Sequence, residues 1–212
     1  MAVVLGGLWP KAVHGQGALM IGQTLCQVDT VASGLNVPWE ILVQGDYLWM
    51  TERHGLVSRV HRSTKAKTVV LDLSTVIYQQ SESGLLGMAL HPAFPLTPQV
   101  FVAYTYSSGG IKERIVRYEF DGQALINPVT ILDEITGNGT HNGCRMVFGA
   151  DTTLYLSTGD AQNLSTPQSL SSLNGKILRI YPDGTIPANN PWPGYAVFSR
   201  GHRNVQGMLR MP

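Results

Sequence analysis

Three strand-like runs recur at a single spacing: Leu48, Phe101 and Leu154 each stand 53 residues from the next. Each run leads toward a polar cluster, Thr51-Glu52-Arg53, Tyr104-Thr105-Tyr106 and Ser157-Thr158-Gly159-Asp160. Each is then followed by a strand with an arginine inside it: Ser58-Arg59-Val60, Val116-Arg117-Tyr118 and Leu178-Arg179-Ile180. A repeat of about 40 to 50 residues made of four short strands is the sequence signature of a propeller blade. A β-sandwich places turn signals every 8–12 residues or so but has no reason to repeat at the longer interval. The period therefore predicts an all-β chain of propeller blades.

Composition agrees. The chain carries 23 glycines and 12 prolines in 212 residues, a density of breakers that few long helices survive and that short strands with tight turns tolerate. Runs rich in β-branched and aromatic residues occur at 47–51, 57–60, 68–71, 100–106, 114–120, 153–158 and 176–181. One short helix is expected near Thr166 to Leu173, with Pro167 in its first turn. At this period 212 residues supply three blades and part of a fourth, the last beginning in a strand at Gln206-Gly207-Met208-Leu209. Propellers close with about four to eight blades, so residues 31–212 read as an incomplete propeller of three to four blades. A small four-bladed ring is the alternative.

The charge balance excludes other classes. Lys and Arg total 15 against 14 Asp and Glu, a net charge of +1, which argues against a nucleic-acid-binding surface. No apolar run is long enough for a membrane-spanning helix. Cys26 and Cys144 are too few for a disulfide framework or a zinc site and read as two unrelated thiols. Residues 1–30 form an N-terminal segment with the outline of a degenerate secretory signal, interrupted by Pro10 and Lys11. On that outline a periplasmic or secreted location is the expectation.

Four ordered segments carry a resemblance. They are Ser83-Gly84-Leu85-Leu86-Gly87-Met88-Ala89-Leu90-His91-Pro92; His141-Asn142-Gly143-Cys144-Arg145 with Ser157-Thr158-Gly159-Asp160; Asn174-Gly175-Lys176-Ile177-Leu178-Arg179; and Gly201-His202-Arg203-Asn204. From about Val31 onward the chain resembles the soluble, pyrroloquinoline quinone (PQQ)-dependent glucose/sorbosone dehydrogenases. The resemblance implies a six-bladed propeller with PQQ and calcium at one end of its axis, an aldose sugar as substrate and an external electron acceptor. It also implies that a histidine takes the proton of the C1 hydroxyl while C1 gives hydride to the quinone. Histidine suits that role because its ionisation falls near neutral pH, and the redox chemistry belongs to the cofactor.

Carried over position by position, His141 matches the catalytic base, and Arg203 and Asn204 match the pair facing the quinone. The planar, permanently charged guanidinium suits an oxygen-rich anionic ring. Glu82 matches a substrate or base-orienting contact. Asp160 reads first as a turn residue closing Gly159-Asp160 by side-chain-to-backbone bonds, and second as an aid to the site. His91 and His202 read as structural, and Trp39 and Trp49 as inter-blade core.

Two positions depart from the family pattern. Thr140 stands where some members carry an aspartate that orients the histidine, and Cys144 stands where a second glycine is usual. A left-handed backbone at Cys144 would cost on the order of 1 kcal/mol. The carbonyls that hold calcium and the bases that pair with the PQQ carboxylates follow the Arg-Asn pair in the family, so this chain by itself is expected to bind PQQ weakly and not to turn over. A non-catalytic sugar- or protein-binding propeller is one alternative function. Another is a calcium-dependent lactone hydrolase using Glu82, Asn142, Asn204 and Asp160.

Overall fold

The computed structural model describes residues 17–210. Strands β1 (Gly17–Ile21) and β2 (Thr24–Val28) pair as a hairpin. Three four-stranded antiparallel sheets follow, each with its strands in chain order. The first blade is β3 (Pro38–Gln44), β4 (Tyr47–Glu52), β5 (Leu56–His61) and β6 (Lys67–Asp72). The second is β7 (Leu85–Leu90), β8 (Gln99–Ser107), β9 (Ile111–Phe120) and β10 (Leu125–Thr136). The third is β11 (Gly143–Phe148), β12 (Leu154–Thr158), β13 (Lys176–Ile180) and β14 (Val197–Arg200). This is an open array of three blades, a partial propeller.

The 53-residue period marks the second strand of each blade, although by register Leu48, Val100 and Leu154 are the equivalent positions and Phe101 stands one residue on. Leu48, Phe101 and Leu154 lie on the second strands β4, β8 and β12, and the three arginines on the third strands β5, β9 and β13. Arg59 Nη2 donates to the Gly122 carbonyl of the second blade at 3.0 Å, and Arg117 Nη1 to the Pro182 carbonyl of the third at 3.3 Å. The repeated arginine thus ties one blade to the next. Arg179 instead turns onto its own blade, to Asp151 at 2.6 Å and to Asn189 and Asn190.

Strand alternation divides the core between two inter-blade seams. Along β8, Val100 and Val102 face one cluster while Phe101 and Ala103 face the other, as successive side chains of a strand must. Trp49 fills the first seam, edge-on to Phe94 at 5.6 Å and to Phe120 at 5.0 Å. Phe101 fills the second, edge-on to Phe148 at 5.3 Å. The first strands β3, β7 and β11 lie side by side, and β7 packs against the other two. A Cβ at Gly87 of β7 would overlap the Cys144 carbonyl of β11. Arg145 of β11 reaches past β7 to Glu40 of β3, Nη1 to Oε2 2.5 Å. Burial raises the Glu40 carboxyl even with this partner.

Two expectations need correction. Residues 166–173 form turns, and no helix occurs among the described residues. The carbonyls that would open that helix are taken from elsewhere: Lys176 Nζ donates to Thr166 at 2.9 Å and the Gly201 N–H to Pro167 at 2.9 Å. Residues 206–209 join no sheet among the described residues. The signal-like stretch 1–16 lies outside the described residues, and 17–28 build the β1–β2 hairpin. Cys26 and Cys144 are both free thiols.

Glu113, on β9, is completely buried. Its Oε2 takes the Cys144 thiol at 3.7 Å, while Oε1 has no hydrogen-bond partner among the described residues. Burial pushes this carboxyl well above the usual range and pushes the Cys144 thiol up as well. The folded chain therefore holds a proton that the unfolded chain releases near pH 4, and stability falls as pH rises beyond that point. Glu113→Gln should flatten the decline in urea-unfolding free energy between about pH 5 and 8. An unchanged slope would mean that Glu113 is ionised in the folded chain.

Candidate active site

In an antiparallel meander, the starts of odd strands and the ends of even strands share one rim. Glu82 precedes β7, His141 precedes β11, Asp160 follows β12, and Arg203 and Asn204 follow β14. Residues spread over 123 positions of chain thereby reach a single edge of the array.

The loop carrying His141 is closed by two amides. Asn142 Nδ2 donates to the Asn138 carbonyl at 2.8 Å, and the Asn138 N–H donates to Asn142 Oδ1 at 2.9 Å. His141, Gly143 and Cys144 all adopt left-handed backbone, with φ of 60°, 67° and 66°. For the two non-glycine residues that conformation is strained, and such strain persists only where its surroundings impose it. The surroundings here are the backbone of the facing loop. A Cβ on Gly159 would overlap the His141 carbonyl, and one on Gly143 would lie 2.8 Å from the Thr158 carbonyl carbon. Two glycines let two main chains cross in contact.

That crossing delivers the central pair. His141 Nδ1 lies 2.8 Å from Asp160 Oδ1, with the aspartate buried and the histidine slightly exposed. Asp160 Oδ1 also accepts the Gln162 N–H at 2.8 Å, so one carboxylate oxygen both closes its own turn and meets the His141 ring. A carboxylate at Nδ1 fixes the neutral ring as the Nδ1–H tautomer and leaves Nε2 as a free base. Glu82 Oε2 accepts the His141 backbone N–H at 3.0 Å and lies 3.4 Å from Asn204 Nδ2. Glu82 therefore holds the histidine's main chain, whereas Asp160 holds its ring.

The Arg-Asn pair divides in the same way. The Arg203 carbonyl accepts the Asp160 N–H at 2.8 Å, fastening the segment after β14 to the aspartate loop. Its side chain is exposed and has no hydrogen bond or ion pair among the described residues. Asn204, by contrast, engages its amide within the protein: Oδ1 accepts from Gly143 N–H at 3.0 Å and from Gln206 Nε2 at 2.8 Å. Thr140 does not touch the ring; its Oγ1 takes Gln162 Nε2. His202 bonds Ser199 and His91 meets Phe148 edge-on, both structural contacts.

The carboxylate beside the histidine ring is Asp160, which the sequence marks first as a turn residue. The signal was available: a carboxylate ending a second strand faces the loop before the first strand of the same sheet. Among the described residues no group of three or more His, Cys, Asp or Glu side chains could hold a metal ion. The four polar residues considered for a hydrolase are also committed elsewhere. Asn142 closes its own loop, Asn204 ties Gly143, Asp160 holds His141 and Glu82 holds the His141 N–H.

Fold and site together define a propeller protein with a carboxylate-supported histidine at one rim and an unpaired arginine fastened beside it. The family model described as Glucose / Sorbosone dehydrogenase matches residues 35–212. The chain belongs to the glucose/sorbosone dehydrogenase family. It is 31% identical over 216 residues to the quinoprotein glucose dehydrogenase B of Acinetobacter calcoaceticus, covering 86% of this chain and 50% of that protein. The PQQ-bound aldose sugar dehydrogenase of Streptomyces coelicolor is similar in structure, with a TM-score of 0.77 and 38% identity over 84% of this chain and 54% of that one. A glucose dehydrogenase-type oxidoreductase of Thermus thermophilus also superposes with a TM-score of 0.77, at 36% identity over 83% of this chain and 54% of that one. The chain thus spans about half the length of these relatives.

Because the crossing of the two loops admits no side chain at Gly159, Gly159→Ala should destabilise the fold by about 3 kcal/mol in urea unfolding. Gly109→Ala is the control: Gly109 has φ of +61° but open space around it, and its cost should stay near ~1 kcal/mol. Equal losses would mean that the close approach at Gly159 does not exist.

Proposed function

We propose that this rim forms the proton-accepting part of a site that oxidises the C1 hydroxyl of aldose sugars with PQQ as the hydride acceptor. The observation that carries the reading is the His141–Asp160 pair at 2.8 Å, on a scaffold that belongs to the sugar dehydrogenase family. The S. coelicolor relative is a PQQ-bound protein, and its likeness supports the same cofactor here.

The residues present fit the quinone. The Arg203 side chain is exposed and unpaired among the described residues, and its planar fork presents several donors to carbonyl or carboxylate oxygens. PQQ, when bound, supplies the two-electron acceptor for the hydride that leaves C1. His141 Nε2 accepts the hydroxyl proton, and the Asp160 carboxylate stabilises the imidazolium that results. Glu82 and Asn204 keep the histidine loop in register against β11 by holding the His141 and Gly143 N–H groups. Loss of that proton to His141 and of the C1 hydride would convert the sugar to its lactone. Among the described residues no cluster of carboxylate, histidine or thiolate side chains is placed to hold calcium, and no step of this proposal runs through it.

PQQ titration with calcium, followed by quinone absorbance, separates the two roles. Arg203→Ala should weaken PQQ binding at least fivefold, while His141→Asn should leave it within about twofold, because charged hydrogen bonds contribute roughly 1.5–3 kcal/mol and the histidine acts on the sugar. Affinity independent of Arg203 would overturn the assignment.

A further inference from the structure

Residues 203–206 belong to no strand among the described residues, yet each of the four has an acceptor held by the third blade or its loops. The Asp160 N–H donates to the Arg203 carbonyl at 2.8 Å, and the Gly143 N–H to Asn204 Oδ1 at 3.0 Å. Ser157 Oγ donates to the Val205 carbonyl at 3.0 Å, and Arg145 Nε to the Gln206 carbonyl at 2.9 Å. The first two donors are main-chain groups of the crossing loops. The other two are side chains of β12 and β11, so they depend on which residue stands there and not on the course of the backbone alone.

Arg145 differs from Ser157 in reaching a second blade. Its Nη1 forms an ion pair with Glu40 Oε2 of β3 at 2.5 Å, and the Glu40 side chain is buried. Burial raises the Glu40 carboxyl, and the guanidinium opposes that rise. One planar group thus serves two acceptors, a carboxylate of the first blade and the Gln206 carbonyl beside the third. Because the plane is rigid, fixing Nη1 on the carboxylate also fixes the direction in which Nε points. A main chain without a ladder of its own has many conformations open to it, and each such hydrogen bond removes some of them.

We propose that Arg145 is a positioning residue for Arg203. Its ion pair with Glu40 aims Nε at residue 206, and that hydrogen bond holds the segment that presents the Arg203 guanidinium at the rim. What Arg203 contacts rests on the sugar-oxidising reading above, whereas where Arg203 stands does not. The first blade, which carries none of the rim residues Glu82, His141, Asp160 and Arg203, then acts on the site through one side chain.

Amide hydrogen exchange on the 212-residue chain tests the placement without any cofactor. Arg145→Lys keeps a cation opposite Glu40 but has no second nitrogen for the Gln206 carbonyl. It should speed exchange of the Asp160 and Gly143 N–H groups about tenfold, with the amides of β8 unchanged. Glu40→Gln should speed the same two groups more weakly, although Glu40 touches none of residues 203–206 directly. Unchanged rates at both groups in Arg145→Lys overturn the proposal. A uniform rise that includes β8 also overturns it, because Arg145 then supports the whole array. A response to Arg145→Lys but not to Glu40→Gln overturns the part played by the first blade. PQQ titration gives the second readout. Arg145→Lys should weaken binding about threefold, and Arg145→Lys combined with Arg203→Ala should bind no more weakly than Arg203→Ala alone, since a residue acting through another does not add to it. Additive losses overturn action through Arg203. Affinity independent of Arg203, together with faster exchange in Arg145→Lys, upholds the placement and removes the quinone reading instead.

Discussion

A four-stranded twisted sheet made of short strands has two faces to bury, and no helix among the described residues covers either. Each blade is therefore stabilised by its neighbours, and the core exists only as the seams between them. Trp49 in one seam and Phe101 in the next are the largest fully buried side chains, and β8 at the centre is buried on both faces. The arginines of β5 and β9 add a hydrogen bond from each blade to a carbonyl of the following one. Remove the neighbour, as at the two ends, and side chains of the same type stand in water.

The site is a by-product of the same packing. First strands lie side by side along one line, so the loops that precede them gather at one rim. There the main chains of residues 141–144 and 158–160 cross so closely that glycine alone fits at 159. Close backbone contact is an efficient way to aim a side chain, because the loop has few conformations left. The His141 ring, the Asp160 carboxylate and the Arg203 carbonyl are fixed relative to one another by hydrogen bonds of about 2.8 Å. Left-handed Cys144 is the cost of that aim, and its thiol reaches the otherwise lonely carboxyl of Glu113.

Legibility in the sequence followed the strength of the local pattern. The second and third strands of every blade stood out because β-branched and aromatic residues alternate or run together between turn residues. First strands such as Leu85–Leu90 and Gly143–Phe148 carry glycine and methionine, and they were visible only as motif segments. The long β10 was missed because Pro128 and three register shifts break its alternation. The helix expected at 166–173 failed because Lys176 and Gly201, distant in sequence, claim its carbonyls. Among the candidate residues at the rim, His141 and Arg203 stand out in the sequence through their motifs, whereas the contact of Asp160 with the histidine ring does not.

The sequence by itself determined the strand type, the 53-residue repeat and hence the blade, since period-2 alternation and turn chemistry are local properties. It also determined which ionisable residues the rim loops carry. Tertiary structure alone decided that Asp160 rather than residue 140 faces the imidazole, that Glu82 holds the main chain of His141, and that Asn204 turns its amide inward. Those choices depend on which loops share a rim and how closely their backbones approach, and such distances are set by the packing of whole blades.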